Sequence, residues 1–151
     1  MRISRHNMFM KMARAASQRS TCHRLNVGAI LVLENNVIAT GYNGAVSGAP
    51  HCGGTDCQYF ERGACTVVHA EENAIQRLAL TAFPDTLYVT HSPCMRCAEM
   101  LVKLGVQAVY FEVPYRKPQA IDFMVENGID VYQLTPGGYR VNQKTLVVEQ
   151  L

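Results

Sequence analysis

The order of elements in the sequence predicts a three-layer α/β/α domain built on a mixed sheet of five strands. Three observations carry that expectation. Short apolar runs of strand length alternate with stretches whose apolar residues recur at helical spacing. The first two runs are separated by Glu34-Asn35-Asn36, short enough for an antiparallel hairpin, while the later runs are joined through helical stretches. Gly105 and Gly128 close two of those stretches, where a helix C-terminus favours glycine.

The elements follow in order. A first amphipathic helix places Met8, Met12, Ala15 and Ala16 on one face. "VGAILVL" at 27–33 and "VIATGYN" at 37–43 form the hairpin strands. A helix is expected over 69–81, with Ala74, Ile75, Leu78 and Ala79 spaced for one buried face, followed by the strand "TLYVT" at 86–90. Next come a helix from Cys94 to Leu104, the strand "VQAVYF" at 106–111, a helix over 118–127 and the strand "IDVYQL" at 129–134. From Gly44 to Cys65 the chain is glycine-rich with little periodicity. A loop of that length inside a compact domain has a function or an internal staple.

With 151 residues the sequence fits one domain, 1–151, long enough to bury a core without depending on disulfides or metal. No apolar run approaches the length needed to span a bilayer, so no membrane association is expected. The six cysteines could suggest a secreted disulfide scaffold, but Lys11 interrupts Met8-Phe9-Met10 before a signal-peptide core can form. Arg2, Arg5, Lys11, Arg14, Arg19 and Arg24 precede the first acidic residue, Glu34, as in a transit peptide, yet the pattern runs straight into the first strand. The remaining reading is a reducing, cytoplasmic compartment in which cysteines serve metal. A net charge of +2 is too small to gather a long nucleic acid and suits a nucleotide better than a polymer.

Two motifs carry the chemistry: "HAEENAI" at 69–75 and "SPCMRCAEM" at 92–100. Residues two apart on a helix point roughly 200° from each other, so His69 and Glu71 can converge only where a loop enters a helix. Cys94 and Cys97, three apart, share a face in a first helical turn, and Pro93 suits a chain entering one. Helix N-termini favour thiolates. His69, Cys94 and Cys97 thus offer three ligands of the kind zinc prefers, with the fourth position left for water and Glu71 beside it. Two thiolates cancel the charge of the ion and weaken its effect on that water, so a carboxylate base becomes necessary.

His69-Ala70-Glu71 with Pro93-Cys94-Met95-Arg96-Cys97 resembles the known zinc-deaminase signature, H-x-E followed by P-C-x-x-C. A lone Cys-x-x-Cys is more often structural or redox; the two motifs together, in this order, are specific. The sequence further resembles the deoxycytidylate (dCMP) deaminases of the cytidine deaminase superfamily. The resemblance runs through "SQRSTCHRLNVGAILV" at 17–32, "GYNGAVSGAPHC" at 41–52, both motifs and Tyr115. It implies a cytidine deaminase-like fold and zinc-dependent hydrolysis of dCMP to dUMP and ammonia, feeding thymidylate synthesis. Glu71 would be the proton carrier. The backbone around Ala70 and Ser92 would read the base, and Arg24, Asn26 and Tyr115 would hold sugar and phosphate. Asn26 can equally be a turn residue at a strand start, and Tyr115 a cover for the sheet edge.

The resemblance also implies a homohexamer, for which isologous contacts on the first helix are expected, and regulation by dCTP as activator and dTTP as inhibitor with magnesium on the triphosphate. Tyr42, Asn43 and Gly44 are the effector candidates, with Asn73 as a link to Glu71; on this reading Asn43→Ala spares basal activity. "GYNG" can also be no more than a strand-ending turn. Cys22, Cys52, Cys57 and Cys65 can complete a second, structural zinc site that pins the 44–65 loop, the alternative being buried thiols. Two rival functions stand beside dCMP deamination. A deaminase of cytosine or adenine in a polynucleotide needs an extended basic surface, whereas the C-terminal "GGYRVNQKTLVVEQL" offers only Arg140 and Lys144. A zinc-stabilised binding module without turnover would make Glu71 a mere complement to the helix dipole.

Overall fold

The computed structural model describes residues 1–52, 67–115 and 117–151. Among them, four helices and seven strands follow in the order α1 (Arg5–Ser17), β1 (Gly28–Leu33), β2 (Asn36–Tyr42), α2 (Ala70–Gln76), β3 (Thr86–His91), α3 (Met95–Leu104), β4 (Ala108–Val113), α4 (Gln119–Glu126), β5 (Asp130–Leu134), β6 (Tyr139–Asn142) and β7 (Val148–Gln150). One sheet holds the strands in the order β2-β1-β3-β4-β5-β6-β7. β3, β4 and β5 are parallel, and the other neighbours antiparallel. The mixed sheet is as expected, but it has seven strands rather than five. The two additional strands are four and three residues long and contain no buried residue, so no buried face imprinted a period on their sequence.

Period-two alternation divides the core into two layers. Ala29, Leu31, Leu87, Val89, Val109, Phe111 and Val131 face α2, α3 and α4, while Ile30, Val32, Tyr88 and Tyr110 face α1. Glu34 and Asn35, both with positive φ, form the two-residue β1–β2 turn, so Asn36 belongs to β2 and not to the connection. Gly105 and Gly128 end their helices with φ of 83° and 85°.

Two helices depart from expectation. α1 buries Phe9, Met10 and Ala13 instead of the Met8/Met12 face, and Met8 and Met12 are 40% and 38% exposed. The reason is the surface beneath: Phe9 packs on Tyr88 at 5.0 Å, and Gly28 lets Ala13 approach so closely that a Cβ there would lie 1.9 Å from the Ala13 carbonyl oxygen. α2 ends at Gln76, leaving Ala79 exposed, because the chain must turn back through the buried Pro84 into β3.

Tyr88, Tyr110 and Tyr132, side by side on β3, β4 and β5, stack at 4.9 Å per step. His6 stacks on Tyr110 at 4.5 Å, with Nδ1 2.9 Å from the Tyr88 hydroxyl. Burial, and then the charge of Arg140, hold the His6 pKa below its usual 6.5. The unfolded chain therefore binds more protons than the folded one just below pH 6.5, and stability falls as pH drops through that value towards the folded pKa. His6→Gln should cost stability at pH 8 and progressively less towards pH 5. Thermal midpoints measured across that range check this; a difference independent of pH would mean that the imidazole titrates alike in both states.

Candidate active site

His69 is the N-cap of α2 and Cys94 the N-cap of α3, both in extended backbone, so the loop-to-helix geometry expected for each motif is what the chain adopts. Cys94 and Cys97 have Sγ atoms 3.4 and 3.5 Å from His69 Nδ1. Among the described residues, these three ligand atoms form a group lying within 4.8 Å of one another. A tetrahedral zinc with ordinary bond lengths needs S···N separations of about 3.6 Å and S···S of about 3.8 Å, so the donor set and its spacing fit the ion. Cys94 is lowered to about 4, chiefly by the hydrogen bond from Cys97, and Cys97 is raised in turn by donating it and by burial. His69 is raised, first by its hydrogen bond with Cys94.

Glu71 lies in the first turn of α2 and is only 4% exposed. Burial pushes its carboxyl up to about 7, near the pH at which a group both takes and returns a proton. The carboxyl lines a cavity of about 170 Å³ together with His69, Cys94, Ala70, Ser92, Arg24, Tyr115 and Asn43. The buried Ser92 ties two walls: its N–H donates to the Val113 carbonyl at 2.9 Å, and its Oγ accepts from the Tyr115 N–H at 2.6 Å. At the surface Arg96 of α3 pairs with Glu72 of α2 at 2.7 Å and links the two ligand-bearing helices.

The cavity thus gathers His69, Glu71, Cys94, Ala70, Ser92, Arg24 and Tyr115, with the buried Cys97 completing the ligand group behind it. Asn26 does not line this cavity: it lines an adjoining polar hollow with Arg19, His23 and His51. His91 was not singled out from sequence, yet it lines the cavity beside Arg24 and Tyr115. Its only signal was its place at the strand end just before Ser92. Cys22 is buried and joins the cavity wall, Cys52 is half-buried, and Cys57 and Cys65 lie outside the described residues.

The 41–44 tetrapeptide is built into the fold. The Asn43 side chain accepts from Ser20 Oγ at 2.6 Å and from the Val27 N–H at 2.9 Å, and donates to the Leu25 carbonyl at 2.7 Å. Its amide shapes the segment that carries Cys22, Arg24 and Leu25 along the cavity. The side chain thus supports the wall of the cavity, which argues against the expectation that Asn43→Ala spares basal activity. Tyr42, Gly44 and Asn73 are not among the cavity's lining residues: Asn73 of α2 donates to the Tyr42 carbonyl, and Gly44 pairs with Val68.

A histidine and two cysteines at two helix N-termini, with a sequestered carboxyl beside them on a mixed sheet, define the zinc-dependent deaminases as a class. The model of the cytidine and deoxycytidylate deaminase zinc-binding region matches residues 3–113, and the chain belongs to that family. Its structure is similar to that of dCMP deaminase from the cyanophage S-TIM5 in complex with dCMP and dUMP, at 35% identity and a TM-score of 0.76, covering 89% of this chain and 99% of the phage chain. Among curated proteins it is 35% identical to ComE operon protein 2 of Bacillus subtilis, over 88% of this chain and 72% of that protein. It is also 35% identical to deoxycytidylate deaminase of Saccharomyces cerevisiae over 89% of this chain, which spans 46% of the yeast protein. No helix among the described residues is long and apolar enough to cross a membrane.

Proposed function

We propose that the chain hydrolyses dCMP to dUMP and ammonia, supplying the precursor for thymidylate synthesis. The buried Glu71 carboxyl, facing a nucleobase-sized cavity beside the His69/Cys94/Cys97 group, is the observation that carries this reading. His69, Cys94 and Cys97 hold zinc, which when bound supplies Lewis-acid chemistry that lowers the pKa of water. Glu71 takes a proton from the water whose oxygen adds to C4 and delivers it to N3. The remaining hydroxyl proton passes by way of Glu71 to the amine, which leaves as ammonia. The backbone at Ala70 and Ser92 reads the base edge, and Arg24 and Tyr115, with His91 beside them, face the sugar and phosphate.

The similarity to a phage enzyme solved with dCMP and dUMP supports the monophosphate substrate. Ammonia release from dCMP, compared with cytidine, dCTP and a cytosine-containing oligonucleotide, tests it. Turnover should be fastest with dCMP. Release from the oligonucleotide alone would make this a polynucleotide deaminase, and no release from any of the four by zinc-loaded protein would make it a binding module.

The same reading includes a homohexamer, supported by the exposed Met8 and Met12 on the outer side of α1, and a reducing cytoplasmic setting in which the cysteines serve metal. It includes activation by dCTP and inhibition by dTTP with magnesium, acting near Tyr42 and Gly44. It also includes a second zinc on Cys22 and Cys52, with Cys57 and Cys65 from outside the described residues.

A further inference from the structure

We propose that α2 is held in register by the outer edge of β2, and that Asn73 is a positioning residue for Glu71 and His69. β2 is the terminal strand of the sheet. The Asn43 N–H donates inward to the Val27 carbonyl, so the Tyr42 carbonyl of the same peptide points outward, and the Thr40 carbonyl, two residues earlier, shares its side. Both are taken by α2 and its C-cap. Asn73 Nδ2 donates to the Tyr42 carbonyl at 2.7 Å, and Arg77 Nη1 donates to the Thr40 carbonyl at 2.9 Å with its guanidinium 5.2 Å from the centre of the Tyr42 ring. Immediately before His69, Val68 and Gly44 exchange two backbone hydrogen bonds, at 2.9 and 3.1 Å.

The spacing is regular for a physical reason. Four helical residues rise about 6 Å and two strand residues about 6.8 Å, so helix positions 73 and 77 meet strand positions 42 and 40 in turn, after the chain has entered from Val68 paired with Gly44. Gly41 admits the helix to this depth: a Cβ there would lie 2.1 Å from the Ala70 carbonyl oxygen and 2.5 Å from the Ala74 nitrogen. Asn73 is two residues from Glu71 and so points away from the cavity, which leaves it to act through the helix. Sliding α2 along the edge would move Glu71 and the His69 ligand together. The pairing also caps carbonyls that an open edge strand would otherwise offer to another chain.

The inference rests on the deaminase reading, so wild-type turnover of dCMP is the control; its absence would defeat that reading and not this one. Asn73→Asp replaces the donor by an acceptor of the same shape. Per folded, zinc-loaded molecule, kcat should fall about 10- to 100-fold with KM changed much less, because the carboxyl and not the sugar and phosphate contacts is displaced. The visible absorption of the cobalt(II)-substituted protein should shift as the His69 ligand moves, a readout independent of turnover. Arg77→Met, at the far end of the brace, should give a smaller change in the same direction and serves if Asn73→Asp does not fold. Wild-type kcat per loaded molecule and an unchanged cobalt spectrum, in Asn73→Asp or, should that variant not fold, in Arg77→Met, would overturn the proposal.

Discussion

Glu71→Ala should give a folded protein that still takes up zinc on His69, Cys94 and Cys97 and has lost about 10²- to 10⁴-fold in turnover, the usual contribution of a positioned acid–base group. Zinc should survive because the ligand atoms are the imidazole and the two thiols, whose spacing does not depend on the carboxyl. Stability should not suffer either. Burial disfavours ionised Glu71, so Glu71→Gln, which keeps the shape and removes the charge, should melt at or above the wild-type temperature at pH 8. Metal analysis, ammonia release and thermal melting on the two variants decide the matter. A zinc-free variant would make Glu71 a ligand, and wild-type turnover would leave it without a role in proton transfer.

The second large effect is expected at Asn43. Asn43→Ala removes three hydrogen bonds from a residue that is 6% exposed, and it strands the Val27 N–H and the Leu25 carbonyl. The cost should be about 2–4 kcal/mol, since buried polar groups left without partners carry their full desolvation penalty. Loosening the segment that carries Cys22, Arg24 and Leu25 should lower kcat/KM for dCMP by tenfold or more, mainly through KM, because that segment lines the cavity on the side proposed to hold the sugar and phosphate. Thermal unfolding and steady-state kinetics in the absence of any triphosphate check both effects. An unaltered KM would show that the wall stands without the amide.

The site was legible in sequence because its chemistry is local. His69 with Glu71, and Cys94 with Cys97, lie within single turns, and a helix N-terminus is enough to converge each pair. The alternation of strands and helices was legible for a similar reason: a strand such as Gly28–Leu33, buried on both faces, reads as a short continuous apolar run, while the helices carry apolar residues at helical spacing.

Only the tertiary structure decided the rest, in every case because the deciding partner is distant along the chain. The buried face of α1 follows from Gly28 and Tyr88, not from the helix's own methionine stripe. β6 and β7 gain their place by pairing with β5 and with each other at the sheet's exposed end, where no apolar period is required. That Asn26 lines an adjoining hollow while His91 lines the cavity was not legible, because the placement of residues flanking a strand depends on the loops packed beside them. The tetrapeptide at 41–44 was conspicuous by itself, but its role in holding the 20–27 segment and docking α2 comes from hydrogen bonds to residues 16 to 31 positions away, which no local pattern encodes. The sequence by itself therefore determined the reactive groups and the order of elements, through short-range geometry and burial period; the walls and braces that aim those groups were decided by long-range contacts alone.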